Sequence, residues 1–157
     1  MQDRRRWLVE WLRNYLKSRD TLEKRISEIS ETEYGLEVIQ SDSKKRFFLV
    51  EPEPGDISSI CSQLKEDSEV TAVFFNTEEN FRAVIESWDS ISQIGRLKLL
   101  FLNPEGESDT KWMVAPRLHS MISDQKSLRR GLRSMFETVG PISEAQISSL
   151  IKKGEKI

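Results

Sequence analysis

The chain has 157 residues, of which 37% are hydrophobic and 32% charged, and a formal net charge of −2. That length supports a hydrophobic core without metal or disulfide staples, and the lone Cys61 excludes an internal disulfide or a cysteine-rich zinc centre. Residues 1–50 carry 11 basic and 9 acidic side chains, residues 51–90 carry 2 and 10, and residues 91–157 carry 11 and 7, which argues against a protein that coats nucleic acid over its whole surface.

The first element is an amphipathic helix. Trp7, Leu8, Trp11, Leu12, Tyr15 and Leu16 recur on one stripe of a 3.6-residue period, with Arg4, Arg5, Arg6, Arg13 and Lys17 largely off it. The pattern predicts a continuation through Leu22, Ile26 and Ile29 after a break near Ser18–Asp20. "YGLEVIQ" and "KRFFLV" then flank the turn-like "SDSK" and predict a hairpin. A two-residue loop at Asp42-Ser43 would pair Leu36 with Leu49, Val38 with Phe47 and Tyr34 with Glu51, and would put Leu36, Val38, Phe47 and Leu49 on one face.

"DISSICSQLK" reads as a helix with Asp56 at its N-cap, and "EVTAVFF" as a strand. "NTEENFRAVIESWDSI" reads as a helix opened by an Asn76/Glu79 capping box, with Phe81, Val84, Ile85 and Trp88 inward. "RLKLLFL" is a further strand and "KWMVA" a short one stopped by Pro116. "SLRRGLRSMFETVG" is a helix with Leu128, Leu132, Met135, Phe136 and Val139 inside, ended by Gly140-Pro141. Ser143 and Gln146 form a second capping box and Ile142 with Ile147 a hydrophobic staple, so the last helix runs to about Lys152. Residues 1–157 are expected to form a single α/β domain with a helical extension at 124–152. The expected architecture is a three-layer α/β sandwich with a mixed, partly parallel sheet of about five strands.

No apolar run approaches the ~18 residues of a membrane helix. With no signal-peptide pattern and one cysteine, the expectation is a soluble, cytoplasmic protein.

Candidate chemistry falls in three places. Ligands of open parallel sheets bind beyond the carboxyl ends of the strands, so Asn76, Thr77, Asn103 and Glu105, with Glu51 and Glu53, define a ligand rim. The segments "FFNTE" at 74–78 and "FLNPE" at 101–105 echo one another there. Second, Lys111, Arg117, Lys126, Arg129, Arg130 and Arg133 fall within 23 residues against one acid, Asp124. That set suits phosphate contact, a protein partner, or the acidic middle of another copy. The Gly140-Pro141-Ile142 junction also permits a helix-turn-helix reading of 124–152. Third, lone His119 rules out multi-histidine metal sites. It is placed in a loop near Ser120 and Asp124 and read as structural or solvated. Cys61 is read as a buried, inert thiol. The Trp7/Trp11 stripe is read as core or dimer contact, with a helix on a membrane surface or in a partner's groove as the alternative.

Across residues 5–75 the order helix, hairpin, helix, strand resembles the core of the PD-(D/E)XK nuclease-like superfamily in a degenerate form. There an Asp and a Glu-x-Lys on adjacent strands bind Mg²⁺. The matching residues are Asp42 and Glu51-Pro52-Glu53, with Glu53 in the place of the lysine. The resemblance implies that an active member would hold Mg²⁺ on these carboxylates and activate water for phosphodiester attack; no other cofactor is expected. The leading expectation is a non-catalytic binding domain, with nucleic acid or protein engaged through the basic helical part. The alternatives are the nuclease-like enzyme and a small-ligand domain at the rim.

Overall fold

The computed structural model describes residues 4–65 and 67–155. In chain order it comprises α1 (Arg4–Arg19), β1 (Ile26–Glu31), β2 (Gly35–Gln40), β3 (Lys45–Val50), α2 (Ile57–Ser62), β4 (Glu69–Phe75), α3 (Glu78–Glu86) and α4 (Trp88–Ile91). β5 (Leu97–Leu102), β6 (Lys111–Val114), α5 (Pro116–Ile122), α6 (Gln125–Val139) and α7 (Glu144–Glu155) follow. The strands form one mixed sheet in the order β1-β2-β3-β4-β5-β6. The first three make an antiparallel meander, β3, β4 and β5 run parallel, and β6 returns antiparallel to β5.

The central strands are apolar on both faces because both are covered. Leu49, Ala72, Phe74, Leu99 and Phe101 pack against α2, α3, α4 and α6. Phe48, Val50, Val73, Phe75, Leu100 and Leu102 pack against α1 and α7. This is the expected three-layer α/β sandwich, with six strands rather than five.

The sixth strand is β1, where a helical continuation was expected. Both carboxylate oxygens of Asp20 accept backbone hydrogens, from Arg25 at 2.7 Å and Ile26 at 2.9 Å, and Lys24 turns through φ 48°. These bonds end the helix and redirect the chain, leaving Leu22 94% exposed. "ISEISE" repeats every three residues, which imitates a helix stripe, but its half-buried pattern suits the outermost strand.

The hairpin register also differs from the expectation by one residue. Gly35 pairs with Leu49, Leu36 with Phe48 and Val38 with Arg46. Gln40 and Lys44 close a loop of Ser41, Asp42 and Ser43, in which Ser43 adopts φ 69°. That is a three-residue hairpin with a left-handed third position. Consequently Leu36 and Val38 share a face with Phe48 and Val50, while Phe47 and Leu49 face the other layer.

Further boundaries shift for local reasons. Thr77, not Asn76, caps α3 by accepting from Asn80 N at 3.0 Å. The expected single helix from Asn76 breaks at Ser87 into α3 and α4. Asp56 occupies the N-cap of α2 without a side-chain bond. Pro116 starts α5 instead of ending a strand-and-loop unit, as suits proline at a first helical position. The Ser143/Gln146 box forms as expected, with Ser143 N donating to Gln146 Oε1 at 2.9 Å and Gln146 N to Ser143 Oγ at 3.2 Å. α6 and α7 are not an appended helix-turn-helix. The junction crosses the carboxyl border of the sheet, and the two helices cover opposite faces.

Candidate functional site

Because β3, β4 and β5 are parallel neighbours, their last residues do gather along one border. The 140–142 junction runs over it. Asn76 donates its amide hydrogens to Phe136 O at 3.1 Å and Gly140 O at 2.9 Å, and its Oδ1 accepts from Trp112 Nε1 at 2.9 Å. Asn103 donates to the same Gly140 O at 2.8 Å, and its Oδ1 accepts from Glu105 N at 3.0 Å. Ile142 N donates to Asn76 O at 3.0 Å. Asn76 is 0% exposed, Thr77 2% and Asn103 5%. The rim residues are thus brought together, yet three of the four are buried and bonded to protein; Glu105 alone is exposed. The echo at 74–78 and 101–105 has a physical meaning: two equivalent asparagines on adjacent strands hold one carbonyl.

Glu51 stands beside this border. It is held at φ 43°, a left-handed conformation uncommon outside glycine. Its Oε1 accepts from Arg4 at 2.9 Å, Asn80 Nδ2 at 3.2 Å and Phe75 N at 3.3 Å. Arg4 also reaches Glu144 at 2.7 Å and lies 5.4 Å over the Phe75 ring. Burial works against the Arg4 charge, but Glu51 and Glu144 outweigh it and raise its pKa. Arg4, paired with both Glu51 and Glu144, therefore clips α1 and α7 to the end of the sheet.

The other two nuclease-like candidates do not join it. Glu53 is exposed on the following turn. Asp42 is in the β2–β3 loop, where Oδ1 accepts from Lys44 N at 3.0 Å. It lies at the opposite end of six-residue β3 from Glu51, roughly 20 Å away at the usual strand rise. Among the described residues no three His, Cys, Asp or Glu side chains converge as a metal site.

The six basic candidates are divided. Lys111 points to the α1 face and sits 5.3 Å over the Tyr15 ring. Arg133 is 3.2 Å from Glu78 and lies over Phe81 and Phe136. Arg117, Lys126, Arg129 and Arg130 are exposed and make no ion pair with another described residue. These four lie on α5 and the first half of α6. α5 is fixed by buried Pro116 and by Ser120 Oγ, which accepts from Trp88 Nε1 at 2.9 Å. Its outer side presents Leu118, Met121 and Ile122, 57%, 76% and 69% exposed. Reading Pro116 as a stop concealed this stripe, although the i, i+3, i+4 spacing is plain in "PRLHSMI".

His119 belongs to α5, not to a loop, and its Nδ1 is 2.9 Å from Ala115 O. Asp124 caps α6, accepting from Ser127 N at 2.9 Å; these bonds hold its carboxyl below the ordinary 3.8. Burial raises the pKa of the Cys61 thiol, against the smaller effect of Arg96. Trp7 and Trp11 pack against the core on the α1 face. No helix of the described residues is long and apolar enough to cross a membrane. No family model, curated protein or solved structure matches the chain.

Proposed function

We propose that the chain is a non-catalytic binding domain whose working surface is α5 with the first half of α6. One observation carries the reading: an apolar stripe of Leu118, Met121 and Ile122 is exposed beside four cations that have no ion-pair partner among the described residues. Exposed large aliphatic side chains in a cluster mark contact sites. Phosphates alone would not engage them, so this surface favours an acidic protein over bare nucleic acid. The strand-end border supports the same division of labour, since its asparagines are bonded within the fold.

β1 adds a specific observation on ancestry. Helix, three-strand meander, helix and parallel strand now precede residue 76, one strand more than the hairpin expected from sequence. This supports a degenerate relative of the PD-(D/E)XK nuclease-like core.

A photo-crosslinking residue at Met121, introduced in the full chain in cells, tests the reading. The expected result is a discrete protein adduct, lost with Arg129→Glu plus Arg130→Glu and not formed from position 22, where Leu22 is exposed in isolation. Salt-sensitive RNA or DNA binding abolished by the same two substitutions, with no protein adduct, would replace the protein partner with a nucleic acid. Mg²⁺-dependent cleavage of either, abolished by Glu51→Gln, would overturn the non-catalytic reading.

A further inference from the structure

Beyond that surface, the outer edge of the sheet at β6 meets an unusual sector of α6. Asn103 N donates to Thr110 O, and Phe101 pairs with Trp112 and Leu99 with Val114. Antiparallel alternation therefore turns the backbone N–H and C=O of Lys111 and Met113 away from β5. An open edge with free backbone groups is a template for another strand.

α6 leans over this edge. Its buried stripe is Leu128, Leu132, Phe136 and Val139. On one side of that stripe fall Lys126, Arg129, Arg130 and Arg133. On the other, at helical spacing, fall Ser127, Gly131, Ser134, Met135 and Thr138, with no charge among them. In a chain that is 32% charged, an uncharged exposed sector beside an open edge calls for an occupant. Ser127, Gly131 and Met135 line a groove of about 190 Å³ with Trp112, Met113 and His119. A Cβ placed at Gly131 would meet no atom within 4 Å, so the groove is open at mid-helix.

We propose that the occupant is a second copy of this chain, related by a two-fold axis through β6 at Trp112. Lys111 of one copy then lies opposite Met113 of the other, and the outward backbone groups satisfy one another. The same axis sets the two α6 helices side by side and antiparallel on one face of a continuous sheet. Helices covering the outer strands would stand about 10 Å apart, at strand spacing near 4.8 Å. That matches helix packing through small residues, here Ser127, Gly131 and Ser134.

Charge complementarity favours a copy of self over an unrelated strand. At the carboxyl end of the edge the β5–β6 loop carries Glu105, Glu107 and Asp109, exposed and without ion pairs among the described residues. At the other end Arg117 and Lys126 are likewise exposed and unpaired, and Asp124 is turned to Ser127. A two-fold axis across β6 reverses the ends, so each acidic loop faces Arg117 and Lys126 of the other copy, while Arg129 and Arg130 stay with the surface proposed above.

Sedimentation velocity on the full chain over a concentration series tests this, with amide hydrogen exchange read at Lys111 and Met113. The expected species has twice the 18.3 kDa chain mass. Its Lys111 and Met113 amides slow as the dimer populates. Gly131→Arg, at a position with open space and better helix propensity than glycine, should give a folded monomer in which both amides exchange fast. A wild-type chain that stays monomeric overturns the proposal, whether or not it captures an extended peptide. So does a dimer that survives Gly131→Arg with those amides unprotected.

Discussion

The two ends of the parallel strands use their polar and apolar groups in opposite ways. At the carboxyl end Asn76, Asn103 and Trp112 are buried and bonded around the Gly140 junction, and Glu51 is bonded to Arg4, Asn80 and Phe75 N. At the amino end α5 leaves Leu118, Met121 and Ile122 in solvent, and Arg117, Lys126 and Arg129 make no ion pair among the described residues. A location that commonly hosts ligands can thus serve as a fastening, and unsatisfied groups elsewhere indicate where a partner is needed. The difference decides where substitutions should damage the fold and where they should damage contact alone.

The largest effect is expected at the fastening. Asn76→Ala leaves Trp112 Nε1 without its acceptor and removes one of two donors from both Phe136 O, which keeps Gly140 N, and Gly140 O, which keeps Asn103. An orphaned buried donor costs about 1–3 kcal/mol and each of the two other lost bonds about 0.5–1.5 kcal/mol, so urea unfolding should register a loss of roughly 3 kcal/mol. Asn103→Ala should cost less, since Asn76 still holds Gly140 O. Next in size is Gly140→Ala. Gly140 sits at φ 87°, and a Cβ added there would meet Asn103 Nδ2 at 3.8 Å, an ordinary contact. At φ 87° and ψ 140° the backbone lies outside the left-handed helical well in a region kept by glycine, so the strain should cost about 2 kcal/mol in the same assay.

Much of this organisation was readable in the sequence, and the failures have identifiable causes. The apolar runs at 69–75 and 97–102 announce doubly covered strands, and Ser143/Gln146 announces the cap of α7. β1 was hidden because "ISEISE" has the spacing of a helix stripe and Asp20 ends α1 through bonds to residues five and six positions on. The hairpin register was undetermined because "KRFFLV" is apolar on both faces, so alternation carried no information. The role of Asn76 was masked by a plausible cap pattern. The repeated asparagine in "FFNTE" and "FLNPE" was the available signal, but a shared carbonyl 37 residues beyond Asn103 cannot be read from local spacing.

Smaller effects sharpen the contrast at the open end. The lowered Asp124 pKa means its cap on α6 is fully present above the ordinary carboxyl range and is lost as pH falls through the folded value. Acid unfolding should therefore begin at slightly higher pH in wild type than in Asp124→Asn, which retains an acceptor without titrating; thermal melts across the acid range check this. The smallest effect on stability is expected for Leu118→Lys plus Ile122→Lys. These side chains are already exposed, so stability should stay within about 0.5 kcal/mol while the Met121-region crosslink disappears.

The claim that the strand-end border is a fastening rather than a binding mouth is tested most directly by hydrogen exchange at the Trp112 indole, read by NMR. The indole N–H is buried and donates to Asn76 Oδ1 at 2.9 Å. Exchange through global unfolding alone is expected, with an opening free energy equal to that from urea unfolding. Rapid indole exchange, uncoupled from unfolding, would mean that the border opens in the native state and would contradict the account.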